Sequence, residues 1–95
     1  MHIFALRDEL SEPENTEGLI HLGCISLQEH MAARGLWIEA EAQHLLIHPF
    51  EDTRLNLKQV NELRTLAIGN FANRELVAIL DNAIQQNAGI ISFVD

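Results

Sequence analysis

The stretch Ile20-His21-Leu22-Gly23-Cys24-Ile25-Ser26-Leu27-Gln28-Glu29-His30-Met31-Ala32-Ala33-Arg34-Gly35 decides how the rest of the chain is read. Ile20, Cys24, Leu27 and Met31 recur at i, i+4, i+7 and i+11, a continuous apolar stripe along one side of a helix. Gly35 supplies a C-terminal stop. The spacing therefore predicts a first helix that ends near Arg34. Leu19, Leu22 and Ile25 fall off the stripe, and at about 100° per residue Leu22 lies opposite Ile20. A helix that is apolar on two sides needs cover on two sides, and in a domain this small the second cover is expected to be another molecule.

Upstream, Ser11-Glu12-Pro13-Glu14 fits the start of that helix, with Ser as N-cap, Glu three residues on and Pro in the first turn. Thr16 is the other candidate N-cap, which leaves the acidic stretch Asp8 to Glu17 as a loop. Either way the carboxylates gather near a helix N-terminus, where the backbone dipole favours them. Before them, Ile3 to Leu6 reads as a short strand.

Downstream, Leu36 to Ile47 fits both periods. Ile38, Ala42 and Leu45 keep helical spacing, while Trp37 to Gln43 also alternates. Ala and Glu are poor strand formers, so a helix is expected, ended by Pro49. The next start is sharper. Asn56 stands as N-cap with Gln59 three residues later, and Leu55 and Val60 occupy the staple positions. That helix runs to Ile68 and stops at Gly69-Asn70. Another follows from Phe71 or Arg74 to Gln86, with Leu76, Ile79, Leu80, Ala83 and Ile84 on one face. Asn87-Ala88-Gly89 breaks it, and Ile90 to Val94 reads as a strand. The expected fold is α+β and helix-dominated, with three or four helices. Short N-terminal and C-terminal strands then pair within the chain or across a dimer.

The 95 residues suffice for one domain, spanning 1–95, and not for two. A content of 47% hydrophobic and 21% charged residues is that of a globular chain. The single cysteine, Cys24, excludes an internal disulfide. With no basic start or apolar run resembling an export signal, this points to the cytoplasm. No stretch reaches the ~20 apolar residues of a membrane span.

Charge is uneven. The formal net charge is −8, and residues 1–52 carry ten acids against two bases, whereas residues 53–95 carry four of each. The acidic half attracts basic partners and repels phosphate backbones.

Signatures of chemistry are weak. The five histidines, His2, His21, His30, His44 and His48, all lie in the acidic half, where pH sensitivity is expected. His44 and His48 have the i, i+4 spacing of two helical metal ligands, but Leu45-Leu46-Ile47 between them does not complete a His-Glu-x-x-His motif. His21 and Cys24 form a second incomplete pair. Cys24 on the apolar stripe reads as a small buried hydrophobe, not a nucleophile. No serine sits in a Gly-x-Ser-x-Gly elbow, and no glycine pattern cradles a phosphate. Glu39 and Glu41, two apart on a helix, do not face each other. No metal or cofactor is expected.

By elimination the expected function is a non-catalytic acidic protein-binding module, of the inhibitor, antitoxin, immunity or phage host-takeover type, docking on a basic site of a partner protein. Glu12, Glu14, Glu17, Glu29 and Glu41 would supply the charge. Leu22, Ile25 and Trp37 would supply the buried centre. A homodimer over the same apolar side is expected as well. Two alternatives stand beside it. Residues 57–86 could form a helix-turn-helix DNA-binding regulator, although its second helix carries only Arg74 with Glu75 and Asp81. A secretion-type chaperone is the other.

Overall fold

A computed structural model describes residues 1–7, 19–69 and 73–94. In chain order the elements are β1 (His2–Leu6), β2 (Ile20–Cys24), α1 (Leu27–Ala32), α2 (Arg34–Ala42), β3 (Thr53–Leu55), α3 (Leu57–Ala67), α4 (Arg74–Gln85) and β4 (Gly89–Phe93). The strands form one antiparallel sheet in the order β2-β1-β4-β3. The fold is thus mixed α+β, with the two terminal strands paired inside the chain. Two further strands lie outside them.

The pattern of burial explains the order. In β1, Ile3, Phe4, Ala5 and Leu6 are all buried, and in β4 so are Ile90, Ile91 and Ser92. Strands buried on both faces belong in the middle of a sheet. Ile3 and Ile90 face the helices and join the main core with Val60, Leu63, Leu76 and Leu80. Phe4, Leu6 and Ile91 form a second cluster on the opposite face, against Leu19 and Phe93. β2 at the edge is half-exposed, and its register against β1 shifts between Ile3 and Phe4, as at a β-bulge.

The stretch from Ile20 to Gly35 departs from the predicted helix. Ile20 to Cys24 is strand, and the helix begins only at Leu27. Ser26 starts it with a reciprocal capping box: the Glu29 N–H donates to Ser26 Oγ at 3.0 Å, and the Ser26 N–H donates to Glu29 Oε1 at 3.2 Å. Five residues of Ile, His, Leu, Gly and Cys satisfy either period, and the pairing with β1 settles which one is adopted. The consequences reverse the expected faces. Cys24 is exposed, and so are Leu27 and Met31, whereas Ile25 is sealed in the core.

The second departure is at the end of α2, which stops at Ala42 and not before Pro49. His44 adopts the left-handed conformation at φ 61°. The His44 N–H bonds Glu41 O at 3.1 Å and the Leu45 N–H bonds Ala40 O at 2.7 Å. This is a Schellman stop, and Ala40 and Leu45, the positions that motif brings together, are both buried in the main core. No glycine announces it. α4 ends in the same way with Asn87 at φ 54°, where the asparagine was legible.

The start of α3 agrees with the sequence reading: Gln59 N–H to Asn56 Oδ1 is 2.8 Å and Asn56 N–H to Gln59 Oε1 is 2.9 Å. Replacing Asn56 by Ala is expected to cost about 1 kcal/mol. In a domain of this size that lowers Tm by roughly 4–8 °C in a thermal melt. An unchanged melt would mean that this box contributes nothing.

Candidate functional site

Two exposed apolar side chains, Leu27 and Phe50, meet where α1, the loop after Ile47 and the end of β4 come together. Met1, Leu27, Pro49, Phe50 and Val94 line a groove of about 270 Å³. Leu27 is 44% exposed and Phe50 70%. Met31, one helical turn beyond Leu27 on the same side of α1, is 67% exposed. Apolar groups this bare, gathered in one place, mark a contact surface more often than single exposed residues do.

The loop that carries Phe50 is held from several directions. The His48 N–H donates to Thr53 Oγ1 at 2.9 Å, the Phe50 N–H donates to His48 Nδ1 at 3.1 Å, and Thr53 Oγ1 donates to Glu51 O at 3.4 Å. The Val94 N–H donates to Asp52 Oδ1 at 3.1 Å, which ties the loop to the end of β4. The His48 and Phe50 rings lie 6.4 Å apart, edge to face. On the other wall, Met1 is pinned by two bonds to Ile25, both 2.9 Å. The aromatic ring is therefore presented on a pre-ordered loop, so little conformational entropy remains to be lost when something covers it.

Acidic groups flank the groove. Glu51 and Asp52 follow Phe50 directly and are exposed. From residue 19 to residue 52 there are five acids, Glu29, Glu39, Glu41, Glu51 and Asp52, against Arg34 alone.

Behind it lies a buried histidine. His30 is 7% exposed and stacks on Trp37 with ring centres 4.5 Å apart and planes 6° from parallel. Its Nε2 is 2.7 Å from Ile47 O. A carbonyl can only accept, so this ring carries its proton on Nε2. That bond joins α1, which bears Leu27, to the start of the segment that bears Phe50. Burial holds the imidazole below its ordinary pKa; repulsion from His48 and the terminal ammonium adds to this, and the bond to Ile47 opposes it. The fold thus keeps His30 neutral where an unfolded chain, at about 6.5, would begin to take up a proton. The unfolded state binds more protons in that window, so stability falls as pH drops below about 6.5, until the folded-state value is passed. The urea midpoint is expected to fall between about pH 7 and pH 5. A His30→Gln chain, whose side-chain amide keeps a donor for Ile47 O, should show a flatter profile. Equal slopes in the two chains would assign the effect elsewhere.

The residues singled out from sequence fall into three groups. Glu12, Glu14 and Glu17 lie outside the described residues. Glu29 and Glu41 are exposed on α1 and α2. Leu22 packs half-buried against the main core, and Ile25 and Trp37 are 4% and 6% exposed. Ile25 and Trp37 therefore belong to the chain's own interior, and neither a partner nor a second copy reaches them without opening the fold, while Leu22 keeps part of its surface open on the edge strand. Phe50, Leu27 and Met31 are exposed instead. The sequence signal for Phe50 was its position, an aromatic after proline and before two acids, where a loop exposes it.

The histidine pairs do not converge on a site. His44 lies in a turn and His48 beyond it, and His21 and Cys24 share a face of the sheet, opposite Phe4 and His2, only because the bulge in β2 falls between them. Among the described residues no three of His, Cys, Asp and Glu gather to hold a metal, and no helix is long and apolar enough to cross a membrane. In the α3–α4 hairpin Arg64 is paired with Asp81, so one of its few bases is already neutralised. Comparison with family models, curated proteins and solved structures gave no match.

Proposed function

We propose that this chain is a non-catalytic binding module whose groove at Leu27, Pro49 and Phe50 takes an apolar side chain from a basic surface of a partner protein. The observation that carries the reading is Phe50, 70% exposed on a loop fixed by hydrogen bonds and followed by two acids. Aromatic anchors in such places carry most of the affinity, while flanking charge raises the association rate and selects the partner. A second copy fits this groove poorly, because two acidic rims would meet. Covering the partner's basic site would make the module an inhibitor of whatever that site does.

The test uses a lysine-rich peptide with one central leucine, titrated into the labelled protein and followed by amide and methyl shifts. Shifts should centre on Leu27, Phe50 and Val94. A peptide with serine in place of the leucine should bind more weakly. Phe50→Ala should weaken binding by at least about tenfold without changing the melt. Glu51→Lys should weaken it in a salt-dependent way. Shifts scattered over all the acidic residues, equal for the two peptides, would refute a defined groove.

A further inference from the structure

A second, smaller cavity lies between α1, α2 and the start of α4, lined by Glu29, His30, Trp37, Asn73, Glu75 and Leu76 among others. Its volume is about 20 Å³, enough to seat one hydroxyl-sized group. Two of its lining residues carry buried polar atoms with no hydrogen-bond partner, Trp37 Nε1 and Asn73 Oδ1. Both residues are more than nine-tenths buried, at 6% and 5% exposure. The orientation of the Asn73 amide is fixed, because Nδ2 donates to Ala67 O at 3.2 Å. Oδ1 is therefore the free end. Asn73 stands at the N-cap of α4 without capping it through its side chain.

A donor and an acceptor left unpaired in the interior are each destabilising, so an occupant that satisfies both is favoured. The chemistry of an occupant follows from the two atoms. A cation would suit Asn73 Oδ1 but face the indole N–H, a donor. An anion would suit the indole but sit among residues that include Glu29 and Glu75. A hydroxyl oxygen accepts from Trp37 and donates to Asn73 in one place.

We propose that this cavity is a binding site for a single hydroxyl group, from a water or a small alcohol, that bridges the Trp37 indole N–H to Asn73 Oδ1. The bridge ties α2 to the first turn of α4 and braces the ring on which His30 stacks. It stands independently of the groove and of the partner proposed for it.

Trp37 is the chain's one tryptophan, so its indole proton gives a single resonance in the labelled intact protein. A cross-relaxation peak between that proton and water, with the sign of a bound molecule, is the expected result. If methanol moves the resonance saturably and its methyl group gives a contact to the indole, the alcohol occupies the site. If methanol leaves the resonance unmoved while the water peak persists, water does. In Asn73→Leu the peak should be lost. Three results would overturn the proposal: neither a water peak nor a methanol response, a hydrogen-bond coupling directly between Trp37 and Asn73, or a peak of full intensity in a folded Asn73→Leu chain.

Discussion

Gly89→Ala is expected to be among the most damaging single substitutions in the chain. A Cβ at Gly89 would press on the carbonyl oxygen of Leu55 and lie 2.9 Å from the Cα of Asn56. Both are backbone atoms, so no side-chain rotation relieves the clash. β3 and β4 would have to separate, and β3 is only three residues long. Overpacking typically costs 1–3 kcal/mol, and this case belongs at or above about 3 because the obstacle cannot turn aside. The damage should spread to the groove, since the Asp52–Val94 bond spans the same edge. Gly35→Ala is the matched control. Nothing lies within 4 Å of its added carbon and it sits inside α2, so a gain of roughly 0.5–1 kcal/mol is expected from helix propensity. Urea unfolding of the two chains checks both signs, and equal stability would contradict the packing described for β4.

Leu80→Ala is the second large effect. Leu80 is fully buried on the face of α4 that packs against the core with Leu63 and Val60. Such truncations lose the transfer free energy of the methyl groups and leave a cavity, together about 2–5 kcal/mol. Small domains hold only about 5–15 kcal/mol in all, so a value near 3 removes a large share of the folded state's margin. Ile38→Ala, at a position 60% exposed, should change stability by no more than about 0.5 kcal/mol. A Leu80→Ala chain with a wild-type urea midpoint would show that α4 does not pack as described.

These two residues were legible to different degrees, and the contrast runs through the whole chain. Leu80 belongs to a face that repeats over a full twelve-residue helix, and long periodic segments identify themselves. The same holds for the Asn56 capping box and for the terminal strands, whose runs of apolar residues fit central positions. Locally Gly89 signals only a helix break, because the backbone it approaches is more than 30 residues earlier in the chain. β2 and β3 escaped for the same reason. A five-residue and a three-residue strand carry too little local pattern, and pairing with β1 and β4 decides them. The helical stripe through Ile20, Cys24, Leu27 and Met31 was a coincidence of spacing across a strand and a helix. The box Ser26-x-x-Glu29 inside it was the signal that separates the two. Errors at the candidate site follow directly. A helix over this stretch places Leu22 and Ile25 on a surface and Leu27 and Met31 in a core, whereas Ile25 is buried, Leu22 half-buried and Leu27 and Met31 exposed. The acidic character of the region needed no structure, since charge counts do not depend on which period is right.

The groove can be tested in the native setting by a photo-crosslinking residue placed at position 50, compared with the same residue at exposed Ile68, which does not line the groove. A discrete adduct from position 50 is expected, whose attachment point maps to an apolar residue among lysines and arginines. It should be absent from position 68 and lost when Glu51→Lys is added. The same adducts from both positions, or an attachment point on an acidic surface, would contradict the assignment of this groove as the contact.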